Sequence, residues 1–245
     1  MKTKLNKIKD YLLDLIFPKN IKCIFCGEEL NELATNSTCV DCKENLPFIT
    51  SCCDRCGLPV PDDFVGVCQQ CKRDNYNFVK ARSVFAYSSK VKSLIRKVKF
   101  RSKKVFLEQM AKLLHDTFVN WNIKVDLIAY VPMFPKNEKL RGFNQAKILA
   151  EELSKLTNIP TTDCCLKIKN TQNQRDLSFQ MRKDNIKDAF KIDANKKSTI
   201  KNKTILIVDD VFTTGATTSE LSETLKLAGA KDCYVLTFAH NELKH

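Results

Sequence analysis

Glycine is scarce in this chain, and long apolar runs are absent from it. Only six glycines occur in 245 residues. None of them forms the glycine-rich patterns that bind ATP or dinucleotides, which excludes the usual nucleotide-binding loops. No apolar stretch approaches the 18 residues that indicate a membrane-spanning helix, so we expect no transmembrane segment. No signal-peptide cleavage site follows the short apolar part of the N-terminus, and we expect a cytoplasmic location.

Charge is distributed unevenly along the chain, which carries a formal net charge of +13. Residues 21–75 hold 5 basic and 9 acidic side chains, whereas residues 76–245 hold 31 basic and 17 acidic ones. We therefore expect an acidic module followed by a basic domain. Apolar residues recur at helical spacing in residues 1–20. This spacing predicts an amphipathic helix that packs on the protein or, alternatively, contacts a membrane surface.

The cysteines are concentrated in the acidic module. Eight of the 12 cysteines form four Cys-x-x-Cys pairs, which are Cys23/Cys26, Cys39/Cys42, Cys53/Cys56 and Cys68/Cys71. A two-residue spacing lets both thiolates of a pair reach one metal ion, and four thiolates complete a tetrahedral zinc site. A disulfide framework is the competing interpretation, but it would call for a secretion signal. The sequence therefore predicts two structural zinc ions in a double zinc ribbon at residues 21–75.

The pairing of these four knuckles remains open from the sequence. The simplest arrangement assigns the first two pairs to one ion and the last two to the other, and a cross-braced arrangement is the alternative. Gly27 and Gly57 directly follow the second cysteine of their pairs, where a tight knuckle needs a positive φ that glycine adopts without strain. Closed four-cysteine sites leave no coordination position for a substrate. We expect the zinc ions to stabilise the fold.

The most informative segment is ILIVDDVFTTGAT, at residues 205–217. Its first four residues predict a buried strand, and the carboxylates of Asp209 and Asp210 follow at once. A loop of small residues then leads into a helix, and its members are Thr213, Thr214, Gly215, Ala216 and Thr217. Loop amides and a helix N-terminus favour a phosphate dianion, and the carboxylates can accept hydrogen bonds from vicinal ribose hydroxyls. The segment predicts a sugar-phosphate site, and an ordinary capped strand–turn–helix is the alternative.

Strands and helices alternate after the cysteines. The predicted strands cover residues 81–87, 126–131, 204–208 and 234–238, with amphipathic helical patterns before and between them. Such alternation is typical of an α/β domain in which a parallel sheet is flanked by helices. Ligands bind to such sheets beyond the carboxyl ends of the strands. Pro132 and the Asp209/Asp210 pair both follow predicted strands, so we expect them at one site in a domain at residues 76–245.

Three parts of the chain together resemble one known family. The cysteine pairs, the segment Arg141-Gly142-Phe143-Asn144-Gln145-Ala146 and the carboxylate–loop segment resemble the ComF/ComFC competence proteins and their GntX-like relatives, which are linked to DNA uptake in natural transformation. The carboxylate–loop segment also resembles the signature of the type I phosphoribosyltransferases. The resemblance extends over residues 21–239. Lys167 and Lys169 depart from it, because arginines are expected at those two positions.

The resemblance implies a site for phosphoribosyl pyrophosphate with magnesium. The loop Thr213–Thr217 would hold the 5-phosphate. Asp209 and Asp210 would bind the ribose hydroxyls and would be the catalytic residues of an active enzyme. Magnesium would bridge pyrophosphate and ribose oxygens, as usual for this weakly caged ion.

Other residues would complete this site by resemblance. The turn that includes Val131 and Pro132 would approach the pyrophosphate. Arg141 and Arg182 would also contact the ligand. Residues 167–190 resemble the mobile flap that closes over the site in the enzymes and excludes water.

A basic segment provides a second candidate surface. Residues 90–104 contain eight lysines or arginines and no acidic residue, with Phe100 and Phe106 nearby. Basic side chains combined with aromatic ones can bind single-stranded DNA without sequence preference. A solvated helix face is the alternative interpretation of the same residues.

Three hypotheses about function follow from these patterns. The favoured one is a ComF-type competence protein in DNA uptake, with a phosphoribosyl pyrophosphate site and a contact to single-stranded DNA. The second is an active phosphoribosyltransferase with an unknown nucleophilic acceptor. The third is a zinc-stabilised adaptor that binds other DNA-uptake proteins. The acceptor cannot be named, because acceptor-binding segments vary within one fold.

Overall fold

The computed structural model describes residues 22–101, 105–171 and 184–241. The predicted helix in residues 1–20 lies outside the described residues. The chain forms two compact units, Met1–Leu46 and Pro47–His245. Within the described ranges, no helix has the length and apolar character needed to cross a membrane.

The first unit, in its described part, is a small knuckle fold with little regular structure. It contains two isolated antiparallel bridges and one helix, α1 (Val40–Asn45). The backbone NH of Cys42 donates to Sγ of Cys39 at 3.4 Å, so a cysteine caps this helix. Besides cysteines, few apolar side chains are buried in the described part of this unit: Ile24, Phe25 and Leu46.

The second unit is built on a parallel sheet, which confirms the predicted α/β class. Its five strands are β1 (Lys80–Ala86), β2 (Leu127–Tyr130), β3 (Thr161–Thr162), β6 (Thr204–Phe212) and β7 (Asp232–His240). They lie in the order β1-β7-β6-β2-β3, and all neighbouring pairs are parallel. A separate antiparallel pair is formed by β4 (Cys165–Lys167) and β5 (Phe190–Ile192).

Helices precede and connect these strands. They are α2 (Gln69–Arg73), α3 (Ser89–Arg101), α4 (Val105–Trp121), α5 (Pro135–Arg141), α6 (Gln145–Thr157), α7 (Lys197–Ile200) and α8 (Ala216–Leu227). Helix α4 packs against β1 and β7, while α6 packs against β2 and β6. These contacts bury the apolar faces whose spacing predicted the helices, such as Leu149 and Leu153 on α6.

The central strand β6 is longer than predicted. Residues 205–208 are fully buried, as their apolar run indicated. The strand continues through Phe212, however, because β6 pairs with β7 as far as Phe212 and His240. Asp209 and Asp210 therefore lie in the C-terminal part of the strand and not in the loop after it. Their backbone is fixed by the sheet, which holds both carboxylates in place.

The second set of cysteines belongs to the core of the sheet domain. Cys53 and Cys56 are buried in one cluster with Ala81 and Phe212. The backbone NH of Ala81 donates to the carbonyl of Arg55 at 2.7 Å. The predicted ribbon module at residues 21–75 thus spans the division between the two compact units.

Candidate functional site

Two clusters of four cysteines form candidate metal centres. One contains Cys23, Cys26, Cys39 and Cys42, and the other contains Cys53, Cys56, Cys68 and Cys71. All sulfur atoms within a cluster lie within 4.8 Å of one another. The first two knuckles therefore share one centre and the last two share the other, which excludes the cross-braced arrangement. Gly27 and Gly57 have φ of +89° and +73°, as a tight knuckle requires.

The geometry of both clusters fits zinc. Sulfur–sulfur distances are 3.6 Å between Cys26 and Cys39 and 3.7 Å between Cys56 and Cys68. Zinc–thiolate bonds of about 2.3 Å in a tetrahedron place neighbouring sulfur atoms roughly 3.8 Å apart. Four thiolates would complete each coordination shell. The remaining cysteines, including the neighbouring Cys52, lie outside both clusters.

The candidate ligand site is a cleft at the carboxyl edge of the parallel sheet. Strand β2 ends at Tyr130, and its last link to β6 runs from the NH of Val131 to the carbonyl of Val208 at 3.1 Å. Pro132, which has no NH, follows directly. Beyond this point β6 continues without β2 beside it, and a cleft of about 280 Å³ opens.

Most of the predicted binding residues line this cleft. They are Val131, Pro132, Asp209, Asp210, Thr213, Gly215 and Thr217. Thr214 and Ala216 do not line it, and both residues are buried. The hydroxyl of Thr214 instead accepts a hydrogen bond from the backbone NH of Ala216 at 3.3 Å. These two residues shape the loop from within.

The two carboxylates differ in their partners. Asp210 Oδ2 lies 2.5 Å from Nζ of Lys99 and accepts a hydrogen bond from Gln145 Nε2 at 3.2 Å. Asp209 Oδ1 accepts one from the backbone NH of Asp210 at 2.8 Å. Burial and, after it, the charge of Asp210 raise the pKa of Asp209 from 3.8 to about 8, against the opposing effect of Lys99. Asp210 is thus paired with one lysine, while the pKa of Asp209 lies well above the usual range of a carboxyl.

The loop before helix α8 is shorter than predicted, because Ala216 and Thr217 already form the first residues of the helix. The name Thr213–Thr217 loop is kept below for the whole segment. Gly215 is the N-cap of α8 with φ of +74°, a conformation that glycine adopts readily. A Cβ at this position would lie 2.6 Å from Cζ of Phe212 and 2.7 Å from Cε1 of Tyr76. Glycine is therefore required here for steric as well as conformational reasons. The loop hydroxyls and the N-terminus of a 12-residue helix face the cleft together.

The segment containing Arg141 supports the cleft from the side. Gly142, with φ of +82°, ends helix α5. Asn144 caps helix α6 through its side-chain oxygen, and its Nδ2 donates to the carbonyl of Val131 at 3.0 Å. Arg141 does not line the cleft but donates to Gln145 Oε1 at 2.8 Å. The guanidinium orients the amide that reaches Asp210. Arg182 lies outside the described residues, as do residues 172–183 of the predicted flap.

Two lysines in the cleft were not predicted as site residues. Lys99 was assigned to the candidate DNA surface, and the structure corrects this by placing its ammonium on Asp210. The sequence contained a signal for the position of Lys99. Lys99 follows the buried Ile95 by one helical turn, so the two side chains share one face of the helix. Lys167 also lines the cleft. Burial lowers its pKa, and the nearby Asp209 counteracts this shift.

Curated proteins with names that refer to DNA uptake are similar to most of this chain. "Competence protein F" of Haemophilus influenzae is 29% identical over 222 residues, covering 88% of this chain and 95% of that protein. "DNA utilization protein YhgH" of Escherichia coli is 27% identical over 198 residues, covering 78% and 85%. "Competence protein ComFC" of Bacillus subtilis is 25% identical over 214 residues, covering 80% and 84%. The resemblance to the ComF/ComFC family is thereby confirmed.

A family model and several solved structures are also similar to parts of this chain. The family model for a double zinc ribbon domain matches residues 12–72. A purine phosphoribosyltransferase from Pyrococcus horikoshii is 23% identical with a TM-score of 0.36, covering 55% of this chain and 73% of that one. A glutamine phosphoribosylpyrophosphate amidotransferase from B. subtilis is 17% identical with a TM-score of 0.37, covering 54% and 25%. This chain matches about a quarter of that second enzyme.

We predict two zinc ions per chain, one in each cysteine cluster. Cys42→Ser and Cys71→Ser should each reduce the zinc content to one ion per chain, because each removes one thiolate from a closed site. Elemental analysis of purified full-length protein measures the stoichiometry. Cys52→Ser is the matched control and should leave two ions. A single ion in the unaltered protein would contradict one of the two centres.

Proposed function

We propose that the cleft binds phosphoribosyl pyrophosphate with magnesium, in a cytoplasmic protein that acts in DNA uptake or utilization. One observation carries this proposal. The carboxylate pair, the hydroxyl-bearing loop and the turn after β2 converge in a single cleft at the carboxyl edge of the sheet, where ligands of such sheets bind. The names of the curated relatives support the cellular role.

The phosphate end of the ligand would lie at the loop. Helix α8 begins at Ala216, so its positive end faces the cleft and favours an anion. The side chains of Thr213 and Thr217 add hydroxyl donors on the same side. Gly215 has no side chain to obstruct the approach of a phosphate to the backbone.

The ribose would lie over the carboxylate pair. Ionised Asp209 and Asp210 would each accept a hydrogen bond from one ribose hydroxyl. The hydroxyl that reaches Asp210 would share this carboxylate with Lys99, whose charge would then also face the anionic ligand. The pyrophosphate would lie towards Pro132, Met133 and Lys167 on the other side of the cleft.

Magnesium fits the chemistry of this site. Carboxylate oxygens are suitable ligands for this ion, which usually keeps few protein ligands and is bound largely through substrate phosphates. Asp209 and Asp210 are the described residues that would hold it beside the ligand. When bound, the ion would neutralise charge on the pyrophosphate.

An active enzyme would use the same residues to transfer the phosphoribosyl group. A nucleophilic acceptor would form a bond to the anomeric carbon as the bond to pyrophosphate breaks, and pyrophosphate would leave with the bonding electron pair. The chain would contribute by positioning the ligand and by placing Lys99 and Lys167 near the developing negative charge. No described residue identifies the acceptor.

Helix α3 supports a second binding function, directed at single-stranded DNA. Its 13 residues, SKVKSLIRKVKFR, contain six basic residues and no acidic one. Lys92 and Arg96 are exposed and lie one helical turn apart, so they form a cationic patch on one face. Lys99 is excluded from this patch, because it belongs to the cleft. A patch of this kind would bind phosphates without sequence preference.

The carboxylate pair provides the direct test of the phosphoribosyl site. Replacing both residues, Asp209→Asn with Asp210→Asn, should abolish binding of phosphoribosyl pyrophosphate with magnesium, because the ribose loses two charged acceptors. Calorimetry measures the affinity. Asp232→Asn is the matched control, since Asp232 begins β7 at the opposite edge of the sheet. Equal binding by the double variant and the control would place the ligand elsewhere.

The raised pKa of Asp209 predicts proton release on binding. Below about pH 8 the carboxyl is largely protonated in the free protein, but the ribose hydroxyls donate to its ionised form. Binding at about pH 7 should therefore release a proton, and the affinity should increase as the pH rises towards 9. Calorimetry in two buffers with different ionisation enthalpies counts the protons. Asp209→Asn should release markedly fewer, whereas identical release would contradict this assignment.

The DNA surface is tested by reversing charge on α3 while leaving the cleft intact. Lys92→Glu with Arg96→Glu should weaken binding of a labelled single-stranded oligonucleotide and reduce the salt dependence of its affinity. Fluorescence anisotropy at two salt concentrations measures both. Lys226→Glu with Lys231→Glu makes the same change in net charge at other exposed positions. Equal losses in the two double variants would indicate a general charge effect and not a contact surface on α3.

A further inference from the structure

Tyr76 joins the second cysteine cluster to the loop of the candidate phosphate site. Its side chain is 5% exposed. The hydroxyl of Tyr76 donates to the backbone carbonyl of Thr214 at 3.1 Å and accepts a hydrogen bond from Nε2 of Gln70 at 3.2 Å. One phenol group therefore connects the Thr213–Thr217 loop to helix α2.

Both anchors of Tyr76 are neighbours of cysteine ligands. Gln70 lies on helix α2 next to Cys71. Arg55 lies between Cys53 and Cys56, and its guanidinium donates to the backbone carbonyl of Tyr76 at 2.7 Å. The position of Tyr76 thus depends on two knuckles that meet at one candidate metal centre.

The ring of Tyr76 also supports the loop by packing. It stacks on Phe78 with a centroid distance of 4.8 Å and meets the edge of Phe212 at 6.3 Å. A Cβ on Gly215 would lie 2.7 Å from the ring, so the loop backbone lies directly on the aromatic surface. The ring of Tyr76 therefore occupies the space into which the loop would move if it withdrew from the cleft.

We propose that metal bound at the second cysteine cluster, acting through Tyr76, holds the Thr213–Thr217 loop in the conformation that receives phosphate. The affinity of the cleft for phosphoribosyl pyrophosphate then depends on the occupancy of that cluster. This inference rests on the proposed function for its ligand. Tyr76 is a positioning residue, because it contacts the loop from behind and does not line the cleft.

Ligand affinity would depend on the metal because the knuckles have little stability of their own. Helix α2 has only five residues, which is too short to be stable alone. Cysteine-ligated modules of this size gain their folding free energy from the metal. Loss of the ion would release the segment that carries Gln70, and the carbonyl of Thr214 would lose its fixed partner.

The first cysteine cluster offers a matched control. Cys42 and Cys71 occupy equivalent positions. Each is the last cysteine of its cluster, and each lies on a short helix, α1 for Cys42 and α2 for Cys71. The contacts that join Tyr76 to the loop all fall within the second compact unit, Pro47–His245. Removing the first ion should leave the phosphate loop unchanged, whereas removing the second should disturb it.

The first experiment compares affinities of full-length variants for phosphoribosyl pyrophosphate with magnesium. Tyr76→Phe keeps the ring and removes one hydroxyl, so it should weaken binding by about 3- to 10-fold, as expected for one hydrogen bond. Cys71→Ser should weaken it more, while Cys42→Ser and Tyr234→Phe should match the unaltered protein. In the Tyr76→Phe background, Cys71→Ser should cause a smaller further loss than it does alone.

The second experiment needs no ligand and measures hydrogen exchange. Tyr76→Phe and Cys71→Ser should accelerate amide exchange in residues 213–217 while residues 205–208 of β6 remain protected. Cys42→Ser should change neither segment. A general loss of stability would instead accelerate both segments, and it would overturn a specific action on the loop.

The two experiments separate this inference from the proposed function. If the unaltered protein fails to bind phosphoribosyl pyrophosphate, the proposed ligand is wrong, while hydrogen exchange still tests the link between metal and loop. If the unaltered protein binds but Tyr76→Phe and Cys71→Ser bind equally well and exchange equally slowly, the link is wrong and the ligand stands. Equal effects of Cys42→Ser and Cys71→Ser would also overturn it.

Discussion

Unequal pairing of the central strand creates the cleft. Strand β6 is hydrogen-bonded to β7 through Phe212, but its pairing with β2 ends near Val208. The chain leaves the sheet at Pro132, where a ladder hydrogen bond can no longer be donated. Asp209 and Asp210 consequently lie on a backbone that is fixed on one side and open on the other. Such carboxylates are preorganised without further loop ordering, which is what ligand binding requires.

The two carboxylates in the cleft have different electrostatic environments. Asp210 is paired with Lys99 and hydrogen-bonded by Gln145, whereas the pKa of Asp209 is raised by burial and by the charge of Asp210. Two adjacent ionised carboxylates are costly, and the ion pair with Lys99 is made by Asp210. An anionic ligand with magnesium and hydroxyl donors would relieve this imbalance, because it supplies both cation and donors. The free cleft is therefore electrostatically incomplete in a way that matches the proposed ligand.

The sequence predicted the local patterns well and the tertiary placements less well. Four consecutive apolar residues ahead of Asp209 sufficed to predict the central strand, and the spacing of the cysteines sufficed to predict two four-thiolate clusters. The extension of β6 to Phe212 depends on pairing with β7, which no local pattern reveals. Lys99 looked like any other lysine of a basic helix, since its role comes from the helix phase and from the approach of Asp210.

A loop made of small residues has few side chains with which to support itself. The small side chains of Thr213–Thr217 would let a phosphate approach the backbone on one side, and they leave little bulk to cover the other side. In this fold the rear face is covered by Tyr76 and Phe212. Tyr76 follows the second cysteine cluster in the chain, and its side chain connects the knuckles to the loop at the cleft. Under the proposed link, the cysteine cluster would support the candidate ligand site without contributing a residue to its surface.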